Sequence, residues 1–199
     1  MIKNYFKVAF RSVLKHKFFS FINILGLSIG MVCCLFIFIY VTDELSYDKF
    51  HYDYQNIYRV GLEGKVGTQD INASSTSYPV ASALQQAVPG IEQTVRLWPR
   101  ENMVMKNGDK IFTETDLFFA DSTFIDFFSF QLLKGDAKKA LREPATVVLT
   151  PALAQKYFGQ EDPMGKILTI GNNNRAYTVT GIIEPAPSNS QIQYTALLS

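Results

Sequence analysis

Between Phe18 and Val41 the chain runs for 24 residues, FFSFINILGLSIGMVCCLFIFIYV, without one charged side chain. As an α-helix this stretch is about 36 Å long, enough to cross a hydrocarbon core of about 30 Å with some tilt. A buried helix of a soluble domain seldom extends so far without a charge. The segment is therefore expected to span a membrane, and the rest of the chain is sorted by the side it occupies.

Charge assigns the sides. Residues 1–42 carry Lys3, Lys7, Arg11, Lys15 and Lys17 with no carboxylate, a net of +5; the remaining 157 residues hold 14 basic and 18 acidic side chains. Short basic flanks stay cytoplasmic, so the N-terminus is expected inside and residues after about 42 outside. The mild acidity of that exported part argues against nucleic-acid binding. A cleaved signal peptide would end its apolar run after about 7–15 residues at a small-residue site. Here the run continues and closes on Phe36, Phe38 and Tyr40, an interfacial aromatic belt. The only cysteines, Cys33 and Cys34, lie within the span, so the exported part must hold together by packing.

Ahead of the span, Lys3, Lys7, Arg11 and Lys15 recur every four positions, while Ile2, Tyr5, Phe6, Ala9, Phe10, Val13 and Leu14 fall on the other side. That spacing predicts an amphipathic helix lying on membrane lipid at the inner face. Within the span, Gly26 and Gly30 form a small-xxx-small pair with Asn23 one turn earlier. Glycines four apart let another helix approach closely, and an amide in lipid favours a polar partner. Asn23, Gly26 and Gly30 are thus candidate helix-packing residues.

Four divisions follow: a cytoplasmic amphipathic helix over 1–17, the membrane helix over 18–41, a juxtamembrane connector over 42–56 and an exported domain over 57–199. The connector holds Asp43, Glu44, Asp48 and His51, but without the spacing of a known metal site, and reads as a solvated ramp. In the exported part, Ile57–Leu62 reads as a strand and residues 64–77 as a polar loop. Pro79 opens a helix through Ala87, and Val95–Trp98 reads as a strand ended by Pro99. Asn107-Gly108-Asp109 marks a hairpin, followed by a strand over Leu117–Ala120. A phenylalanine-rich turn or helix covers 124–130, and a short helix Asp136–Leu141. A β-branched strand over Ala145–Leu149 leads to a helix opened by Thr150-Pro151 and stopped by Gly159. Paired strands over 165–170 and 177–183 precede a Pro/Ser tail with a last short strand. The fold class is α+β, with one core or two small lobes and no βαβ repeat.

Chemistry-bearing motifs are sparse. No Walker-type phosphate loop and no Gly-x-Ser-x-Gly elbow occur, and His51 is the single histidine of the exported part. No catalytic residue, metal ligand or cofactor is expected.

The opening NYFKVAFRSVLKHKFFSFINILGLSIG, then DELSYDKFH and IYRV, resemble the N-terminus of MacB/FtsX-type permeases of bacterial ABC transporters. FFADSTFIDFFSFQLLKGD, ATVVLTPALAQKYFGQEDPMGKILTI and YTVTGIIEPAPSNS resemble the periplasmic core domain of the same permeases. The resemblance implies a separate cytoplasmic ABC ATPase, an inner-membrane location, and transmission of ATP-driven motion to the periplasmic domain for export or mechanotransmission. It also implies further permease helices or a second permease copy, as a dimer, and a periplasmic partner protein. Family members follow this domain with three more membrane helices, and nothing after Val41 approaches 18 apolar residues, so companion helices are expected on another polypeptide or beyond a truncation. The rival reading, a single-pass periplasmic sensor or adhesion domain, would need a cytoplasmic signalling domain, for which about 17 residues are too few.

Overall fold

The computed structural model describes residues 2–199, without the side chains of Ile2, Lys3 and Ala9. The chain divides into two compact units, residues 1–47 and Asp48–Ser199.

The first unit is helical. Helix α1 spans Ile2–Lys15 and α2 spans Lys17–Glu44. They are separated at His16, whose φ of −113° and ψ of 52° leave helical geometry. Ser28 and Thr42 turn their hydroxyls back onto the carbonyls of Ile24, Phe38 and Ile39, as such residues do in a helix without water. No residue of α2 is buried.

The second unit is built on one mixed sheet. Its strands are β3 (Leu97–Arg100), β4 (Met103–Asn107), β5 (Lys110–Glu114), β6 (Leu117–Ala120), β7 (Leu132–Gly135), β8 (Thr146–Leu149), β9 (Ile167–Ile170), β10 (Arg175–Ile183) and β11 (Ala196–Leu198). Across the sheet the order is β3-β6-β11-β8-β10-β9-β4-β5, with β7 also on β10. β8 and β10 run parallel, as do β11 and β6; the other pairings are antiparallel. A separate hairpin, β1 (Leu62–Val66) and β2 (Gln69–Ala73), precedes α3 (Val80–Ala87). Two short helices complete the unit, α4 (Phe124–Phe127) and α5 (Pro151–Phe158).

Strand alternation divides the apolar side chains between two faces of one sheet. Val147, Leu149, Ala196 and Leu198 face a cluster closed by Leu153, Ala154, Tyr157 and Phe158 of α5. Val148 and Leu197 face a second cluster with Phe124, Ile125, Phe130 and Tyr194. β8 and β11 are therefore buried on both sides, which explains their unbroken apolar sequences. The result is an α+β domain with two packed layers on a shared sheet.

Several local expectations are corrected. The polar loop at 64–77 contains β1 and β2, turned at Gly67 (φ 64°), while residues 57–61 are not a strand. Pro99 does not end its strand: β3 runs through it as the outermost strand of the sheet, where a missing N–H is tolerated. Residues 136–141 form hydrogen-bonded turns instead of a helix, with both Lys139 and Ala140 donating to the Asp136 carbonyl. β7 was absent from the sequence reading; it approaches β10 so closely that a Cβ on Gly135 (φ 105°) would meet the Thr180 carbonyl at 2.5 Å.

Candidate functional site

The candidate residues lie in both units, and each unit has its own physics. In the first, Lys7, Arg11 and Lys15 are exposed on α1, with the aromatic side chains of Tyr5, Phe6 and Phe10 uncovered as well. The side chain of Lys3 lies outside the described residues. On α2, Asn23, Gly26 and Gly30 follow a three-and-four spacing that places them along one face. A Cβ built on either glycine meets nothing within 4 Å, so that face is open to a neighbour. Cys33 and Cys34 are exposed on the same helix.

At the start of the second unit, the segment read as a solvated ramp is an anchored strap. Asp48 sits at φ 55°, a left-handed conformation that Asp tolerates better than most residues. Its N–H donates to the Asn189 carbonyl at 2.9 Å. Its Oδ1 accepts from the Ser190 hydroxyl at 3.2 Å and the Gln191 N–H at 3.0 Å. Phe50 packs into the second apolar cluster. His51 is only 4% exposed, its ring centroid 4.0 Å from Phe50, 5.3 Å from Phe128 and 5.2 Å from Phe130. The Tyr52 N–H donates to the Ser129 hydroxyl at 2.9 Å. Four of the five residues from Asp48 to Tyr52 are thus fixed to segments far away in sequence.

This setting perturbs the histidine. Burial pushes the His51 imidazole below its ordinary pKa, against the nearby Asp48 carboxylate, which favours the charged form. Its Nδ1 is buried with no hydrogen-bond partner. Among the described residues no three His, Cys, Asp or Glu side chains come together as a metal site.

Two further polar constellations were missed by the sequence reading, because each joins residues distant in the chain. Tyr157 donates its hydroxyl to Glu114 Oε1 at 2.6 Å, and Lys156 pairs with the same oxygen at 2.6 Å. Desolvation, then the Glu114 hydrogen bond, raise the Tyr157 phenol far above its usual range, so it stays protonated and acts as a brace, not a base. At the sheet edge, Arg96 makes a two-pronged ion pair with Asp121 and lies 3.9 Å from the Tyr78 ring centroid. Arg100 lies over Trp98 at the same distance. In neither constellation does a nucleophile face a free base.

The family model described as the MacB-like periplasmic core domain matches residues 20–198. Among solved structures, the chain is similar to a domain of a protein described as a permease from Porphyromonas gingivalis. That match is 32% identical, covers 65% of this chain and 55% of that chain, and has a TM-score of 0.58. The chain is also similar to the periplasmic region of MacB from Actinobacillus actinomycetemcomitans, at 19% identity, covering 60% of this chain and 53% of that one, TM-score 0.43. A third similarity is to the extracellular domain of the noncanonic ABC-type transporter YknZ from Gram-positive bacteria, at 18% identity, covering 61% of each chain, TM-score 0.48. The chain thus spans little more than half the length of the first two structures it matches. No curated protein matches it.

Proposed function

This chain belongs to the MacB-like periplasmic core domain family, and from that membership we propose that it is a membrane subunit of a bacterial ABC-type transporter. In this reading a separate cytoplasmic ATPase supplies the energy. Membrane helices relay the motion to the exported domain, for export or for mechanotransmission to a periplasmic partner protein. α1 lies on the inner leaflet with its basic stripe, Lys3, Lys7, Arg11 and Lys15, toward lipid headgroups. α2 crosses the inner membrane from a cytoplasmic N-terminus. Its Asn23, Gly26 and Gly30 face packs against further permease helices or a second copy of the chain.

The observation that carries this reading is how little slack separates helix from domain. α2 ends at Glu44 and the strap is already fixed at Asp48, so only Leu45, Ser46 and Tyr47 intervene. Four residue steps reach at most about 14 Å when fully extended. A displacement of α2 much larger than that must pull on Asp48, Phe50 and His51, and through them on both loops they hold. A tether for a ligand-binding domain has no need of so short and so firmly fixed a link.

The test uses the full chain in lipid nanodiscs together with any ABC ATPase that co-purifies with it. Probes at residue 45 and on the exposed β1–β2 turn are expected to change their separation on ATP addition. Absence of an associated ATPase, with no ATP-dependent change, would overturn the proposal. A cysteine-crosslinking scan of α2 checks the packing face; crosslinks should concentrate at 23, 26 and 30, and equal lipid exposure of every face would remove that part of the reading.

A further inference from the structure

A neutral imidazole buried seven residues after the end of α2, at the start of the second unit, is an unusual choice for a purely structural contact. His51 sits among Phe50, Phe128 and Phe130 with its Nδ1 buried and unpartnered. A phenylalanine would fill an aromatic cage without leaving a polar atom unsatisfied. What histidine adds is a proton-binding site that opens only when the ring leaves the cage. We propose that His51 makes the strap, residues 48–56, a protonation-dependent latch. With the ring neutral the strap is seated against the α4–β7 loop and the 189–191 segment; protonation favours its release.

The groups around the ring support this assignment. On its own segment Asp48 is the carboxylate whose field reaches the imidazole, but its Oδ1 is engaged by Ser190 and Gln191. Lys49 and Asp53 are exposed, and Asp53 accepts from the Asn56 amide at 2.7 Å. From the α4 side the cage presents Phe128, Ser129 and Phe130, while Asp126 is exposed. From the tail, Tyr194 packs on Phe130 and donates its hydroxyl to the Glu184 carbonyl at 2.8 Å. No acceptor is placed for the second N–H that an imidazolium would carry. The attraction of Asp48 therefore does not make up for the loss of water.

The sign follows from linkage. The seated ring has a lowered pKa, whereas a released ring titrates near the ordinary value of about 6.5. Seating is at full strength above about pH 6.5. It weakens as the pH falls below that, by up to about tenfold per pH unit, until the seated ring itself titrates. In a cell whose periplasm follows the outside medium, mild acid would loosen the connection between helix and domain. This step rests on the periplasmic placement proposed above; the latch itself does not require ATP coupling.

The test is hydrogen exchange on the full chain in nanodiscs between pH 5 and 7.5, corrected for intrinsic rates. Protection of the His51, Tyr52 and Tyr54 amides is expected to fall several-fold, by at most about fivefold, between pH 6.5 and 5.5, with β8 and β10 amides unchanged. His51→Phe should keep the strap protected and abolish that dependence. A wild-type strap with flat protection, or the same fall in His51→Phe, overturns the latch. Should His51→Phe misfold, the NMR titration of the wild-type His51 ring decides: a pKa below 6.5 supports the proposal, and one at or above 6.5 overturns it. Neither readout depends on an ATPase, so failure here is separable from failure of the transporter reading.

Discussion

The apolar runs of this chain's long helix and of its central strands have opposite surroundings. α2 carries its apolar run with no residue buried, whereas Thr146–Leu149 and Ala196–Leu198 are buried throughout. Both segments satisfy their backbones, the helix internally and each strand through a neighbour on either side. The difference is what covers the side chains. α5 and the phenylalanines of residues 124–130 close over the strands. Among the described residues no α2 side chain is buried, and a backbone complete in itself is what lipid demands. Apolar composition alone therefore does not locate a core; length against the available partners does.

A charge placed in each region breaks the comparison most sharply. Leu197 is fully buried in β11 between β6 and β8, so Leu197→Asp strands a carboxylate in the sheet. A loss of more than about 4 kcal/mol is expected, enough to abolish the cooperative unfolding transition seen by circular dichroism. Leu27→Asp, on exposed α2, should leave the melting of the 48–199 unit unchanged while reducing membrane insertion, by about 3 kcal/mol at the centre of a span. Equal unfolding in both variants would mean that the two apolar runs share a core.

Two smaller effects probe how the exported domain is tied together. Tyr157→Phe removes the hydroxyl that serves Glu114 Oε1 and the Met105 carbonyl, leaving a buried carboxylate with Lys156 alone. The urea midpoint should fall by the equivalent of about 2 kcal/mol with no change in slope. Gly159→Ala meets no atom within 4 Å, but Gly159 ends α5 at φ 64°, where an L side chain is strained. About 1 kcal/mol is expected from the backbone alone, and a neutral result would show that the turn readjusts.

Legibility in the sequence followed the range of the interactions. The long apolar helix α2, the Gly108 hairpin and α5 between Thr150-Pro151 and Gly159 were all readable, because each is specified by neighbours in the chain. Even there the agreement is partial, since Thr150 occupies the N-cap position without a side-chain hydrogen bond. β7 was invisible because what defines it is the approach of Gly135 to Gly181, a pairing remote in sequence. The expected helix at 136–141 gives way to turns in which Lys139 and Ala140 share the Asp136 carbonyl. His51 was read as solvated for the same reason that β7 was missed. Its cage needs Phe128 and Phe130, and Asp48 needs Ser190, 142 positions away.

The gentlest change sharpens the contrast from the exposed side. β1 is exposed along its whole length and pairs only with β2, so its alternation has no core to face. That absence of pattern is why the hairpin was read as a loop. Lys65 and Asp70 sit opposite each other in its register, 3.4 Å apart, and both side chains are more than 70% exposed. A pair so open to water and salt contributes little, because hydration replaces most of what the contact supplies. Lys65→Ala should therefore leave the domain's unfolding midpoint unchanged within error and raise exchange only at the β1 and β2 amides. A shift of the whole domain's midpoint would show that the hairpin is coupled to the sheet, placing it with the buried strands instead of the exposed helix.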